Sequence, residues 1–339
     1  MSNALKADHV IHRVTFNPKS PSPGEVLRVP VPKLDNGVVL VPGSLALIFN
    51  LTVSEHANNF FVNNVSRALV DRLTLKFAGE IVQDTDGYDL FKLWEDLFLT
   101  KNERANMFRE GIQSEDLSKI KCNAGDKKTS GVDKENKLNE VYRNIYRIPL
   151  DHDILKDHGV FFARALSDEL LFEFRLPPAD KGSDTIINES INVPRRSMKG
   201  LLLFYETYTA GTRNSEKTFN PNITDVKLTV DGIQNKTYSQ GMKARDIWEK
   251  VFRRFGKENS PMNATDFYAG NRFGLFIDLR SMRDNDLHGL GLRLVNTKDG
   301  VHLANNRKGS GSGNVKCHIF ILSDAQLNIV NRELESVTY

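Results

Sequence analysis

The sequence predicts an all-β fold of two tandem β-sandwiches, each with one short amphipathic helix. Three observations lead to this prediction: several segments alternate apolar and polar residues, turn-forming residues separate them, and one order of segments occurs twice along the 339 residues. Alternation with a period of two places one set of side chains on a buried face of a strand. Many short strands with few helices are typical of sandwiches and barrels.

Three segments show the strand pattern most clearly, because apolar residues occupy every second position along them: residues 170–176, 273–279 and 315–321. In the first of these, Leu170, Phe172 and Phe174 share one face. Glycine, proline, asparagine and aspartate separate such runs, as expected of turns. These segments are therefore predicted to be strands with one face in a core.

Two segments instead carry apolar residues at spacings of three and four, which is the pattern of one helix face. They run from Asp89 to Leu99 and from about Met242 to Phe255, and each contains one of the two tryptophans of the chain, Trp94 and Trp248. An aromatic side chain among apolar neighbours is typical of an anchor that fixes a helix to a sheet. We expect both tryptophans to be buried anchors; a cofactor-stacking role is the less favoured alternative.

One order of segments occurs twice. An alternating run that ends at Gly79 has a counterpart that ends at Gly232, 153 positions later, and Trp94 and Trp248 follow 154 positions apart. Further pairs keep the same order: residues 45–49 with 201–205, and residues 146–150 with 276–279. Several similarities in one order indicate a duplication, at a period too long for a solenoid.

The duplication predicts three parts: an N-terminal arm of residues 1–23, a first sandwich of residues 24–178, and a second sandwich of residues 184–339. The segment Pro177–Gly182 joins the two sandwiches. The arm contains three prolines and no strong periodicity, so we expect it to be free to contact a neighbouring molecule.

Composition excludes several classes of protein. Lys and Arg number 46 against 43 Asp and Glu, a net charge of only +3, whereas strong non-specific nucleic-acid binding needs many uncompensated cations. The apolar runs are much shorter than the about 20 residues that a membrane-spanning helix needs, and residues 1–10 do not resemble a secretory signal. Two cysteines, Cys122 and Cys317, exclude a disulfide framework, so we expect folding in a reducing compartment.

No catalytic, cofactor-binding or metal-binding residue is predicted, and we do not expect an enzyme. Metal-dependent sandwich enzymes need closely spaced histidines and carboxylates, but the eight histidines include no His-X-His pair. Asp151, His152, Asp153 and His158 form the best metal-like cluster, which we interpret as surface loop residues. No motif supports a Cys-His catalytic pair, and no P-loop, dinucleotide or nucleophile-elbow motif is found.

Two segments are expected to be exposed loops. Residues 111–139 carry charges of both signs with several glycines, and residues 305–313 are rich in glycine and serine. A role for the basic clusters, Arg195-Arg196 with Lys199 and Arg253-Arg254, in contacting a packaged genome or a neighbour's acidic residues is the alternative to ordinary solvated charge, which we favour.

Several short motifs follow one another in a fixed order. They are residues 63–70, 73–80 and 86–89 before the Trp94 helix, and then residues 276–281, 285–289, 296–300 and 318–327. This order resembles the double jelly-roll major capsid proteins of double-stranded DNA viruses, in particular the Polinton/Maverick and adintovirus-like group, with iridovirus-type proteins more distant. The resemblance covers most of the chain from about residue 24 onward.

The resemblance implies that both sandwiches are jelly rolls and that the protein is a major capsid protein in the virion shell, assembled inside the host cell. It implies a homotrimer with a pseudo-hexagonal outline, trimer–trimer contacts on icosahedral facets, and penton and minor capsid proteins as further partners. It implies no cofactor. No specific nucleic-acid motif is found, and membrane contact is left open. The alternatives are a carbohydrate- or receptor-binding β-sandwich, which usually carries a signal peptide or disulfides, and a metal-dependent jelly-roll enzyme.

Overall fold

The structure is a computed structural model. It describes residues 21–33, 39–41, 43–50, 60–61, 64–107, 110–111, 122–123, 145–150, 152, 155, 166–177, 197–207, 217–230, 233–234, 242–280, 301–307 and 315–338. The α-helices of these residues are short: α1 (Val65–Ala68), α2 (Tyr88–Glu95), α3 (Lys101–Asn106), α4 (Ala244–Phe255) and α5 (Ala264–Ala269). A turn of 3-10 helix, Asp96–Phe98, follows α2. No helix of the described residues is long and apolar enough to cross a membrane.

Most of the elements are strands. In the first half of the chain they are β1 (Val26–Pro30), β2 (Ala46–Asn50), β3 (Phe60–Phe61), β4 (Arg72–Phe77), β5 (Glu80–Asp86), β6 (Cys122–Asn123), β7 (Ile145–Pro149) and β8 (Leu170–Arg175). In the second half they are β9 (Met198–Thr207), β10 (Ile223–Val230), β11 (Ile233–Gln234), β12 (Met242–Lys243), β13 (Leu275–Asp278), β14 (Val301–Arg307), β15 (Val315–Ser323), β16 (Gln326–Val330) and β17 (Glu333–Thr338). The predicted all-β class is confirmed.

The first half contains a four-stranded antiparallel sheet in the order β1-β8-β4-β5. In β8, Leu170, Phe172 and Phe174 are buried and the residues between them are half-buried, as the alternation predicts. Leu73 of β4 lies opposite Phe174, so apolar side chains of both strands share one buried face. In a separate pair, β2 and β7 are antiparallel with Leu47 opposite Ile148.

The second half repeats this pairing pattern. Strand β10 pairs with β14 and with the short strands β11 and β12, just as β4 pairs with β8 and β5. Strand β9 pairs with β13, with Leu203 opposite Leu275, just as β2 pairs with β7. Strand β15 pairs with β9 as well and widens this sheet. The repeated pairing agrees with the duplication that the sequence indicates.

The two tryptophan helices form where the spacing predicts them. The predicted helix from Asp89 to Leu99 is α2 with its 3-10 turn, and the predicted helix from about Met242 is α4, which begins at Ala244 after the short strand β12. The described residues contain three further short α-helices, α1, α3 and α5. Among them, α3 begins with a capping box in which Thr100 and Glu103 bond each other's backbone amides.

Buried apolar side chains form two clusters. The first core consists of first-half residues such as Leu75, Phe77 and Phe172. The second core surrounds β9 and β10, and it includes Leu203 and Leu228.

Two elements of one half pack against the core of the other half. Helix α2 belongs to the first half but contributes Leu90, Trp94 and Phe98 to the second core. The β16–β17 hairpin ends the second half, yet its Leu327 and Leu334 pack against the first core. The boundaries at residues 1–23, 24–178 and 184–339 stay predictions, because residues 1–20 and 178–196 lie outside the described part of the chain.

Candidate functional site

The described residues contain no group of three or more His, Cys, Asp or Glu side chains that could hold a metal ion. Of the metal-like cluster considered from the sequence, only His152 is among the described residues; Asp151, Asp153 and His158 lie outside them. The prediction that the chain has no metal, cofactor or catalytic residue therefore stays a prediction.

Cys317 has the properties of a structural cysteine. The residue is exposed on β15, and partial desolvation raises the pKa of its thiol to about 11, against a smaller lowering by a hydrogen bond with the Tyr205 side chain. A thiol with this pKa is protonated at neutral pH, whereas the thiolate is the nucleophile. Cys317 is therefore poorly suited to nucleophilic chemistry.

The two halves meet at Trp94. Its side chain is 2% exposed and lies against Phe204 of β9 and Phe255 of α4, with ring centroids 4.9 and 5.1 Å away. The indole Nε1–H donates a 3.0 Å hydrogen bond to the carbonyl oxygen of Arg272. A buried indole needs such an acceptor in addition to apolar contacts. Trp94 thus fixes both the position and the rotation of α2 on the second half.

Gly274 provides the space that Trp94 occupies. A Cβ atom at this position would lie 2.7 Å from Trp94 Cζ2 and 3.0 Å from Phe204 Cε1. Carbon atoms pack at about 3.5–4.0 Å, so a side chain here would push the indole away from β9. The glycine is required by this close approach.

Further contacts extend the junction along α2 and beyond it. The rings of Phe91 and Phe320 lie 5.4 Å apart, so β15 also contacts α2. Lys257 Nζ pairs with Glu103 Oε1 at 2.6 Å across the two halves. Both charged groups are about half exposed, with side-chain exposures of 47% and 40%, and pairs of this kind contribute little stability. The junction is therefore held mainly by its aromatic contacts.

A buried polar cluster holds the C-terminal end of α2. Asp96 accepts hydrogen bonds from Asn64 Nδ2 and, at 3.2 Å, from Arg67 Nη1. Its backbone carbonyl accepts from Arg104 Nη2 at 2.6 Å. Burial raises the pKa of Asp96 to about 6, although the Arg67 charge acts in the opposite direction. The cluster joins α1, the 3-10 turn and α3, and so it supports the position of Phe98.

Trp248 occupies the corresponding place on α4 but is only half-buried. Its ring lies 5.2 Å from Phe267 and 6.3 Å from Phe98. Phe252, one turn further along, is 38% exposed, whereas Phe98 is 1% exposed. The expectation of a buried anchor is therefore confirmed for Trp94 and too strong for Trp248. The reason is that α4 packs through Ile247 and Val251, which leaves the Trp248 side partly in solvent.

The C-terminal hairpin forms a second link between the halves. The backbone N–H of Leu334 donates a 2.8 Å hydrogen bond to Asp168 Oδ2, and that of Ser167 donates, also at 2.8 Å, to the carbonyl of Arg332. Leu327 and Leu334 pack on the first core. Sequence reasoning missed this link, because the partners lie 166 positions apart and no local pattern marks them.

Only part of the predicted loops and basic clusters lies among the described residues. Most of residues 111–139 and 305–313, and the pair Arg195-Arg196, lie outside the described residues. Residues 305–307 belong to β14 and pair with β10, so the prediction of a loop is wrong for these three residues. Lys199 forms a 2.8 Å ion pair with Asp324 beside the hairpin. Arg253 and Arg254 are exposed on α4, next to Phe252, which agrees with solvated charge.

Comparisons with known proteins agree with this architecture at the level of the fold. No family model and no curated protein matches the chain. The structure of PBCV-1 VP54, fitted into a reconstruction of the virophage Sputnik, is similar with a TM-score of 0.50 at 11% identity, covering 84% of this chain and 80% of VP54. The chain is a double jelly roll.

Two further structures are similar at lower scores. The PBCV-1 virus capsid gives a TM-score of 0.42 at 10% identity and covers 86% of each chain. The major capsid protein P2 of bacteriophage PM2 gives 0.30 at 9% identity and covers 88% of this chain and 96% of P2.

Proposed function

We propose that this protein is a major capsid protein, a structural subunit that forms trimers and, through them, an icosahedral viral shell. The observation that carries the proposal is the double jelly-roll fold with its two halves joined into one unit at Trp94. The similar structure, PBCV-1 VP54, was itself fitted into a virophage reconstruction. The role needs no catalytic group; the protein acts through its surfaces.

A homotrimer is the expected unit. Three copies of a chain with two similar sandwiches present six sandwiches, so a threefold ring acquires a nearly sixfold outline. In such a ring the second half of one copy contacts the first half of the next, which is a heterologous contact that closes after three steps. Obligate interfaces of this kind usually bury about 2,000 Å² or more. Contacts between trimers are expected to be smaller and more polar.

The finer parts of the proposal rest on the sequence motifs. Their order supports a place in the Polinton/Maverick and adintovirus-like group. The proposed partners are other copies of this chain, first within the trimer and then between trimers, with penton and minor capsid proteins at other positions of the shell. The proposed location is the virion capsid.

Native mass spectrometry and electron microscopy of the expressed chain test the proposal. The expected species has three times the 38.3 kDa mass of the chain, and it forms hexagonal arrays or shells at higher concentration. A chain that stays monomeric or dimeric at micromolar concentration under every salt condition would overturn the proposal. Binding to a glycan array without any assembly would instead favour the carbohydrate-binding alternative.

A further inference from the structure

The sheet face that receives α2 is fully covered within the chain. On the outer side of β9 and β13, Leu202 and Phe204 are 0% exposed and Phe276 is 2% exposed. Trp94 of α2 lies against Phe204, and Phe255 lies 5.5 Å from Phe276. We call Leu202, Phe204, Gly274 and Phe276 the covered face.

The first half contains the corresponding face, and there one of the four residues is exposed and the other three are half-buried. The register pairs Leu202 with Phe276 in β9–β13, and in the same way it pairs Ala46 with Pro149 in β2–β7. The residues that correspond to the covered face are therefore Ala46, Ile48, Arg147 and Pro149, which we call the open face. Ile48 is 51% exposed, whereas its counterpart Phe204 is 0% exposed. Leu47 and Ile148, on the other side of the same strands, lie in the first core.

The two tryptophan helices also differ in burial, but in the opposite sense: the helix of the first half is enclosed and that of the second half is partly exposed. Trp94 and Phe98 are 2% and 1% exposed because they lie in the junction between the halves. Their counterparts on α4, 154 positions later, are the half-buried Trp248 and Phe252, which is 38% exposed. Each chain therefore encloses one helix on one sheet face, and on the corresponding second helix and second sheet face it leaves Phe252 and Ile48 exposed.

We propose that α4 of one copy docks through Trp248 and Phe252 on the open face of a second copy. This inference rests on the proposed function and assigns the surfaces of its trimer. The partner is a second copy of this chain because the chain already forms the same kind of contact internally, between a tryptophan helix and the outer side of a two-strand pair. The helix of the same copy is held on the second core by Ile247 and Val251.

The contact is heterologous, since the helix belongs to the second half and the open face to the first half. A chain with one such surface at each end adds copies in one direction, and the ring closes when the last helix reaches the first open face. A reciprocal two-fold dimer would also use both surfaces, so closure after three copies rests on the proposed function, and a wild-type dimer in native mass spectrometry would overturn the ring. Closure after three copies then produces six alternating junctions, three within chains and three between them.

One position differs between the two junctions. Arg147 lies opposite Ile48 on the open face, where the covered face has Gly274, and its Nε lies 3.6 Å from the carboxylate of the buried Glu110. A helix cannot approach Arg147 as closely as Trp94 approaches Gly274. The guanidinium instead meets the docked indole, and an Arg over a tryptophan ring is an attractive arrangement. The junction between chains is therefore looser and more polar than the one within the chain, and Arg253 and Arg254 lie at its edge.

Two substitutions test the assignment, with a third as a matched control. Ile48→Asp places a charge on the open face and Phe252→Asp places one on the α4 side, and both residues are exposed in the single chain. Ile233→Asp is the control, because Ile233 is 74% exposed on β11, a strand that belongs to neither surface. The first two variants are expected to raise the concentration needed for trimer formation by at least about tenfold, as for central interface residues. The control is expected to assemble like the wild type.

Mixing the two defective variants tests the direction of the contact. The Ile48→Asp chain keeps an intact helix and the Phe252→Asp chain keeps an intact open face, so the mixture is expected to form 1:1 complexes and no trimers. Native mass spectrometry of each variant alone and of the mixture measures this result. Absence of 1:1 complexes in the mixture, while each variant alone still assembles, would overturn the assignment.

A cross-linking experiment does not depend on the stability of the charged variants. With Cys122 and Cys317 replaced by serine, the pair Ile48→Cys and Phe252→Cys is treated with a short bismaleimide, and covalent trimers are expected on a denaturing gel. The pair Ile233→Cys and Phe252→Cys is the control and is expected to give none. Equal cross-linking of both pairs would overturn the interface.

Wild-type trimers with unaffected Asp variants would overturn the interface alone, whereas a monomeric wild type would overturn the proposed function as well.

Discussion

Helices α2 and α4 occupy corresponding places in the two halves, yet their surroundings differ. Both follow a strand, and both carry a tryptophan followed four residues later by a phenylalanine. In α2 this pair is enclosed by β9, β13 and α4, whereas in α4 the same pair is half in solvent. The comparison teaches that two helices with similar apolar spacing are buried to different degrees, because different elements pack against them.

The sheet faces show the same asymmetry. Phe204 and Ile48 correspond in the register, but Phe204 is enclosed and Ile48 is 51% exposed. An exposed apolar residue by itself is common on protein surfaces. The exposure of Ile48 is informative here because its counterpart, Phe204, is covered by the helix that carries Trp94.

The largest expected effect is the loss of stability when Trp94 is replaced, compared with the loss when Trp248 is replaced. Trp94→Ala removes a fully buried indole and its hydrogen bond, so it is expected to lower the free energy of unfolding by about 3–5 kcal/mol. Trp248→Ala is expected to cost clearly less in the single chain, about 1–3 kcal/mol, because part of the ring is already in water. Denaturant unfolding of both variants under monomeric conditions measures the difference.

A conservative change supplies the control for the Trp94 result. Lys257→Gln removes an exposed ion pair that also crosses the halves, and its expected cost is at most about 1 kcal/mol. Equal losses for Trp94→Ala and Trp248→Ala would contradict the different burial of the two rings.

The second prediction concerns Asp96, whose counterpart on α4 is Lys250. The pKa of Asp96 is about 6 in the folded chain, above the ordinary value of 3.8. Between these values the folded chain holds a proton that the unfolded chain has released, so a rise in pH favours unfolding. This group is expected to reduce the free energy of unfolding by up to about 3 kcal/mol as the pH rises from about 4 to about 6.

Asp96→Asn is the matched control for this pH dependence, because the amide keeps the size of the carboxyl group and does not titrate. Unfolding curves at several pH values are expected to show the wild type losing stability relative to the variant over this range. At neutral pH the variant leaves the Arg67 charge without its anion, which has its own cost. Parallel pH profiles for the two proteins would contradict the assignment.

The smallest expected effect concerns Gly274, where the two junctions differ most. Gly274→Ala places a methyl group against the indole and is expected to cost about 1–3 kcal/mol through overpacking. In a Trp94→Ala background the same substitution is expected to cost much less, because the space is then open. A double-mutant cycle measures this coupling. Equal costs in both backgrounds would show that the indole does not require the glycine.

The sequence by itself predicted the elements and their repetition. Alternation in β8 and helical spacing in α2 and α4 decide which face of each element is apolar, and these are local properties of the chain. The repeated order of segments predicted a duplication, and the structure shows that β9 and β13 pair as β2 and β7 do. The fold class followed from these patterns together.

Only the tertiary structure decided which partner covers each apolar face. The apolar spacing around Trp94 is similar to that around Trp248, and spacing alone does not show that Trp94 meets Gly274 while Trp248 stays half in solvent. Asp96 follows Glu95 in a stretch that also contains Lys92, so no local signal marked it as buried, and its partners Asn64 and Arg67 are about thirty positions away. The physical reason is that periodicity specifies an apolar face, whereas its covering depends on contacts between elements far apart in the chain, within one copy or between copies.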